Sequence, residues 1–585
     1  MMRLDMLPDK QTADTEMIPA ETNRAHTNVE AIIKEIIKGS SLNGNIYINF
    51  DLFEKTQLTR EDLRHTVAVG STFDGLSLYH LILISKDLTE KSKLSLPDVL
   101  QSLVLEDIQS KIESGKYKGR TALILAVEEM AKGHPGAFDF IINKFGPALS
   151  VNEFRVKVEE GFDKGITALW IALNNCPAVL DFIFKRFGTA LTLADFRVKA
   201  EEGLFKGTTA LWCAAGLFSE YPAAVEFIIN QFGKELTVDD FRVKAERGPY
   251  KGETVLWFAV YAARFGQSAA LDFIINQFGK ELTVDDFRVK PERGLHKGKT
   301  ALWLAVDGLV RGYPAAFEFI INKFGTALTV DDFRVKAEEG PDKGETALWW
   351  AAVVFSEYPA AFEFIINQFC KELTVNDFRV KAEMGPHKGK TVVWLAVYAA
   401  SLGHPAALDF IFKQFGTALT VDDFRVKAEE GPDKGKTALW CAVALVFQGS
   451  PATFEFIINQ FCKKLTVDDF RVKAEEDSHK GLTALWVAVY AASCLGHPVA
   501  LDLILREFGT KLTLDDFNVK PESGPSPGKT VLDIADQYPY ILRDILSLTY
   551  SVDGKLNLPE TAALYKTKTF FVNLLKQDGS PKEGV

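Results

Sequence analysis

The sequence predicts an all-α fold, an elongated α-solenoid of about eleven helical repeats. The phrase Gly-x-Thr-(Ala/Val)-(Leu/Val) recurs with its glycine at Gly119, Gly165, Gly207, Gly252, Gly298, Gly344, Gly389, Gly435, Gly481 and Gly528, 42 to 47 residues apart. A second phrase, LTVDDFRVK, begins at Leu236, Leu282, Leu328, Leu419 and Leu465, with close variants at Leu149, Leu191, Leu373 and Leu512. Apolar residues at helical spacing fill the interval between the phrases. Such periodicity marks units that bury their hydrophobic faces only against their neighbours.

The unit from Gly389 to Gly435 shows each element in turn. TVVWLAVYAASLG is apolar with helical spacing and ends at Gly403, which predicts a first helix. His404-Pro405 follows, and proline suits the first turn of a helix, where its missing N–H costs nothing. AALDFIFKQFG then sets Leu408, Ile411, Phe412 and Phe415 on one face, with Gly416 placed to cap a second helix. In ALTVDDFRVKAEEGPDKG, Thr420 and Asp423 have the spacing of a capping box, which predicts a short third helix. Asp423 with Lys427 and Arg425 with Glu429 are spaced as i,i+4 ion pairs along it. A strand is the rival reading, because Phe424, Val426 and Ala428 alternate.

Weaker copies bound the array. LTREDL from Leu58 opens it, DGLSLYHL follows from Asp74, and after Gly528 a degraded KTVLDIADQYPYILRDIL closes it, as end units that face water must depart from the template. The expected organisation is a disordered segment over 1–28, an N-terminal capping region over 29–57, repeats over 58–545, and a C-terminal cap with a polar tail over 546–585.

GKTVVWLAVYAASLGHPAALDFIFKQFG, with DGLSLYHL, resembles the ankyrin repeat, whose G-x-T-P-L-H-x-A opens helix one and whose glycine closes helix two. The resemblance covers residues 58 to 545 and rests on the order of the phrases. The unit departs from it by being longer, by alanine or valine in place of the proline, and by tryptophan in place of the histidine. The extra length falls where an ankyrin has its projecting finger, so the finger is enlarged here. The likeness implies a protein-binding scaffold. Long degenerate arrays of this style resemble secreted effectors of intracellular bacterial pathogens, which implies host proteins as partners and a host cytosol as the place of action, with KQDGSPKEGV as an accessible secretion signal.

Trp170, Trp212, Trp257, Trp303, Trp349, Trp394, Trp440 and Trp486 hold one template position and read as a packing ladder between units, with a ligand-stacking platform as the alternative. Arg155, Arg197, Arg242, Arg288, Arg334, Arg379, Arg425 and Arg471 read as locally paired, solvated charge. A scaffold keeps its core and varies its contact surface. Two rows vary: Tyr250, His296, Asp342, His387, Asp433 and His479, each before a Lys-Gly and expected near the finger tip, and Tyr261, Asp307 and Tyr398 on the first helix. These are the candidate partner-binding residues.

Composition narrows the function. With 47% hydrophobic and 25% charged residues the 585-residue chain has ample material for a core, and its net charge of −11 argues against a nucleic-acid partner. The start lacks the apolar run of a signal peptide, and no stretch is apolar enough to span a membrane, so a cytoplasmic protein is expected. The six cysteines are substitutions scattered over different units, expected as reduced, buried thiols, and no Cys-x-x-Cys supports zinc. Gly298-Lys299-Thr300 and its equivalents lack the glycine that a phosphate-binding loop needs five residues earlier, so no nucleotide is expected. Paired carboxylates such as Asp331-Asp332 repeat from unit to unit, whereas a catalytic dyad needs one shielded site. The expectation is therefore a monomeric protein without enzymatic activity, cofactor or metal. The rival functions are an activity housed in the flanks to which the repeats present substrate, and a structural spacer.

Overall fold

In the computed structural model the described residues are 98–216, 222–353, 358–401, 403–445 and 451–535, with shorter stretches between 31 and 85. The segments expected as a disordered start (1–28) and a C-terminal cap and tail (546–585) lie outside them. The chain divides into two compact units, Met1–Leu191 and Thr192–Val585. Both are built almost entirely of helices. The exception lies in the region expected to cap the array, where Ile37–Ser40 pairs antiparallel with Ile46–Ile48. No helix among the described residues is long and apolar enough to cross a membrane.

The template phrases make a recurring three-helix motif. In the second unit the first helices include Val255–Ala263, Ala301–Val310, Ala347–Val353 and Val392–Ser401. The threonine of Gly-x-Thr starts each one. Thr300 is extended, and its side chain accepts the Trp303 backbone N–H, satisfying a donor the helix leaves open. In the first unit, Thr121 and Thr167 do the same for Ala122–Ala131 and Ala168–Asn175, while at Leu78–Leu83 the cap is Ser77, whose hydroxyl lies 2.7 Å from His80 Nδ1.

Every residue from Ala301 to Leu309 is buried, because this first helix packs against those before and after it and against the second helix of its own motif. The second helices are one-sided. Ala315–Phe324 buries Ala316, Phe317, Ile320 and Phe324 and exposes Glu318. The second helix Ala406–Phe415 ends at Gly416, as the sequence suggests, but this glycine is right-handed at φ −52°, so no left-handed cap forms and the chain continues into a further turn. The left-handed caps lie instead at the ends of first helices, as at Gly403 and Gly496.

The finger begins as a helix, not a strand. Val284–Arg288, Val330–Arg334 and Val421–Arg425 are third helices, each with the capping box of a Thr and an Asp three residues on. Their phenylalanines pack on the following second helix, Phe287 lying 5.5 Å from Phe324. Beyond the helix the chain extends and forms single antiparallel bridges, among them Lys336 with Thr346 and Lys427 with Thr437.

The ion pairs expected along the third helix do not form, since it ends at Arg425. Asp423 accepts Nε and Nη2 of Arg379 at 2.6 and 2.7 Å, and Arg425 clamps Asp469 at 2.6 and 2.8 Å. Glu429 pairs with Lys381. The same bidentate clamp joins Arg197 to Asp240, Arg242 to Asp286, Arg288 to Asp332, Arg334 to Asp377 and Arg471 to Asp516. The expected local, solvated pairing is present as well, since Arg288, Arg334, Arg425 and Arg471 each also meet the exposed aspartate three residues earlier, and a ladder from motif to motif is added to it. Each aspartate also accepts its own Thr backbone N–H, so one carboxylate both caps a helix and ties down its neighbour.

Candidate functional site

The tryptophan row is a ladder between motifs. Trp257, Trp303, Trp349, Trp394 and Trp486 are fully buried, and each indole N–H of the row in the second unit crosses to a backbone carbonyl of the next motif. Trp212 donates to Glu253 O at 2.9 Å, Trp257 to Lys299 O at 3.0 Å, Trp303 to Glu345 O at 3.2 Å and Trp394 to Lys436 O at 3.3 Å. Trp349, Trp440 and Trp486 repeat the bond, and Trp170 is buried in the first unit. Burial leaves no free indole face for a ligand.

The fingers lie edge to edge through backbone contacts. Glu292 N donates to Lys251 O at 2.7 Å, Glu338 N to Lys297 O at 2.8 Å and Glu383 N to Lys343 O at 2.8 Å. Gly294, at φ +78°, sits so near Pro249 O that a β-carbon would collide with it, which explains glycine there.

The residues before Lys-Gly do not occupy the finger tip. They turn inward onto the preceding motif's tryptophan: Tyr250 lies 5.7 Å from Trp212, His296 5.3 Å from Trp257, His387 5.2 Å from Trp349 and His479 5.6 Å from Trp440. Asp342 and Asp433 turn inward too, toward lysines. The tip belongs to the residue one place earlier, where Leu204 and Leu295 are exposed together with Pro249, Pro341, Pro386 and Pro432. Phe162 holds this place in the first unit, 84% exposed. A one-residue error in the finger's turn, which lacks a helical or strand period, caused the misplacement.

The two variable rows nonetheless meet. Tyr261 stacks on Trp257 at 5.4 Å, and its ring lies 5.0 Å from His296 of the next finger. Tyr398 stacks on Trp394 in the same way and is partly exposed. Asp307 is buried, with Arg264 Nη1 3.0 Å and Arg311 Nε 3.6 Å from its Oδ2. Burial pushes its carboxyl up, against the pull of both arginines. Burial, with help from Lys299 and Arg264, lowers His296 to about 4, and His387 and His479 are lowered chiefly by burial as well. The three imidazoles are neutral near pH 7.

A third row, overlooked in the sequence, completes this face: the middle residue of Gly-x-Thr. Lys299 is 2% exposed, its Nζ 4.8 Å from the Trp303 ring centroid and 2.5 Å from Asp342 of the next finger. Lys390 repeats the arrangement with Trp394 and Asp433, the latter also reached by Lys436 at 3.0 Å. In the first unit Arg120 pairs with Asp163. Each of these cations is answered by an aspartate, on the following finger for Arg120, Lys299 and Lys390 and on its own finger for Lys436.

Glu253 and Glu345 break that pattern. They hold the same position, are 2% and 1% exposed, and each has an Oε2 without a hydrogen-bond partner. The next finger offers them the uncharged His296 and His387. Burial drives the Glu345 carboxyl up to about 9, Asp342 adding to the rise and Lys299 and Trp350 opposing it, and burial raises Glu253. Tyr250, which faces Glu253, clusters with Phe205 and Trp212, and Phe258 lies on Trp212 at 4.8 Å. Near Glu345, Trp350 lies 6.0 Å from both Trp303 and His387. The reversed charge at this one place was the signal available in the sequence.

Among the described residues no group of three or more His, Cys, Asp or Glu could hold a metal ion. The cysteines are free; Cys176, Cys213 and Cys441 are buried as expected, Cys370 and Cys462 are half-buried, and Cys494 is exposed because it lies at the last turn of its helix, clear of the core. No family model matches the chain, and no curated protein is found to be similar to it.

Proposed function

We propose that the chain is a non-enzymatic protein-binding scaffold, an α-solenoid of about eleven ankyrin-like units that recognises its partner along the face shared by the fingers and the first helices. The observation that carries this reading is the meeting of variable positions on one face, as in Tyr261 against His296, above an invariant ladder of tryptophans. Packing needs account for the constant positions. They account for the buried, ion-paired Asp307, which is thereby withdrawn as a partner contact, but not for Tyr, Val, Tyr and Ala at Tyr261, Val353, Tyr398 and Ala444. By its likeness to secreted bacterial effectors, the partner we propose is a host-cell protein met in the host cytosol.

The test is affinity capture with three versions of the full chain: wild type, Tyr261→Ala with Tyr398→Ala, and a control carrying Asp272→Ala with Asp409→Ala on the exposed side of second helices. The expected result is a partner set lost with the tyrosine pair and retained by the control. The opposite pattern would move the binding surface to the second helices, and capture that ignores both pairs would remove this face from consideration.

A further inference from the structure

Lys299, Lys390 and Arg120 are each met by an aspartate of the next finger, so this chain satisfies a charge in the Gly-x-Thr position with one of opposite sign. Glu253 and Glu345 sit in the same position with no cation from the chain on their Oε2. The geometry points to these two carboxyls, with the rings beside them, as twin receptors for basic side chains of a partner segment in extended conformation.

Aromatic faces beside a carboxylate suit a guanidinium or ammonium group, which stacks on the ring while its N–H groups reach the oxygens. Glu253 faces Tyr250, and Glu345 faces Trp350. Tyr250 and His387 are half-buried. The charges facing Glu345 are Asp342, Lys299 and Asp307.

Spacing defines the ligand further. The two glutamates are two motifs apart, and first helices packed side by side lie about 8–10 Å from axis to axis, so the receptors stand roughly 20 Å apart. An extended chain rises about 3.3 Å per residue, which separates the two basic side chains by about six residues. Burial raises both carboxyls; that of Glu345, at about 9, is protonated before binding, and a docking cation turns its –COOH into a –COO⁻ while the proton passes to the buffer. The inference rests on the binding-face reading above and can fail separately from it.

The test uses the full chain and synthetic twelve-residue peptides in a serine-glycine frame, with two arginines six apart, two arginines three apart, or citrulline in place of both. Titration calorimetry at pH 7.5 in two buffers of different ionisation enthalpy gives affinity and proton release together. The expected result is preference for the six-residue spacing, release of a proton that Glu345→Gln abolishes, and about tenfold weaker binding for each of Glu253→Gln and Glu345→Gln. Glutamine matches the protonated carboxyl in shape, so both variants fold, as circular dichroism will verify. Failure of the wild type to bind the matched peptide, equal binding by the glutamine variants, or binding without proton release would each overturn the inference. The scaffold reading would survive any of these, since it stands or falls on capture by the Tyr261 and Tyr398 variant.

Discussion

Trp303→Ala tests the ladder at its most connected point. The indole is fully buried, its N–H bonds Glu345 O at 3.2 Å, and Lys299 Nζ stands 4.8 Å from its ring centroid. Truncating a buried tryptophan costs about 3–5 kcal/mol through lost burial and the cavity left behind. The orphaned Glu345 carbonyl adds about 1 kcal/mol, and removing the ring from a lysine that is itself buried adds about 1 kcal/mol more. The expected loss is about 5–7 kcal/mol, comparable with the whole stability of many domains. It falls on one interface between motifs, and in a nearest-neighbour array such an interface uncouples the two sides. Urea unfolding followed by circular dichroism at 222 nm should therefore split into two transitions, whereas Trp303→Phe, which keeps most of the burial, should lose only about 2 kcal/mol and stay closer to one. A single transition with less than about 1 kcal/mol lost in the alanine variant would refute the ladder and revive the tryptophans as a ligand platform.

Three further outcomes follow from the same contacts. Gly294→Ala should cost more than about 2 kcal/mol by thermal melting, because φ is +78° and the new methyl meets Pro249 O, while Gly403→Ala, with open space around it, should cost less. Burial raises Asp286, Asp332, Asp377, Asp423 and Asp469, but the arginine clamps and Thr N–H bonds outweigh it and hold these carboxyls below their ordinary value. Their stabilisation is therefore complete above about pH 4 and lost as pH falls through the lowered values, so urea midpoints should drop steeply between about pH 4 and 2, less so for Asp332→Asn. Glu345 behaves oppositely: with its carboxyl raised to about 9, the fold holds an extra proton above the unfolded value, and stability declines from about pH 4.5 to 9. Glu345→Gln should then stabilise the protein by up to about 3 kcal/mol at pH 7 and flatten that slope, read from urea midpoints across the range.

Helix starts and the tryptophan ladder were legible in the sequence, and the polar contacts between motifs were not. Thr420 with Asp423 predicts a third helix because a capping box is closed within four residues, and the helix is there. The tryptophan ladder is legible because a large apolar residue at a fixed period has few places to go but an interface. Arg425 was misassigned to Glu429 because its true partner, Asp469, is 44 residues away and only stacking brings it near. The two variable rows were recognised one by one, and stacking is again what joins them, so His296 was read as a finger tip when it packs on Trp257 and Tyr261. Glu253 and Glu345 were invisible for a related reason: a glutamate between glycine and threonine reads as a solvated loop residue, and its burial comes entirely from neighbouring motifs.

The contrast within that one template position separates what folding requires from what it does not. A buried lysine at Lys299 or Lys390 lies on a tryptophan and meets an aspartate of the next finger, so packing, charge and hydrogen bonding agree. At Glu253 and Glu345 they conflict: burial raises both carboxyls, that of Glu345 to about 9, and one oxygen of each is left unmatched. Local conflicts of this kind in an otherwise consistent chain mark functional positions more often than structural ones. The stack itself provides the comparison, since the motifs on either side of each glutamate share its backbone. Folding accounts for lysine in this position and not for glutamate, and a basic group arriving from a partner would give the two glutamates what Asp342 and Asp433 give the lysines.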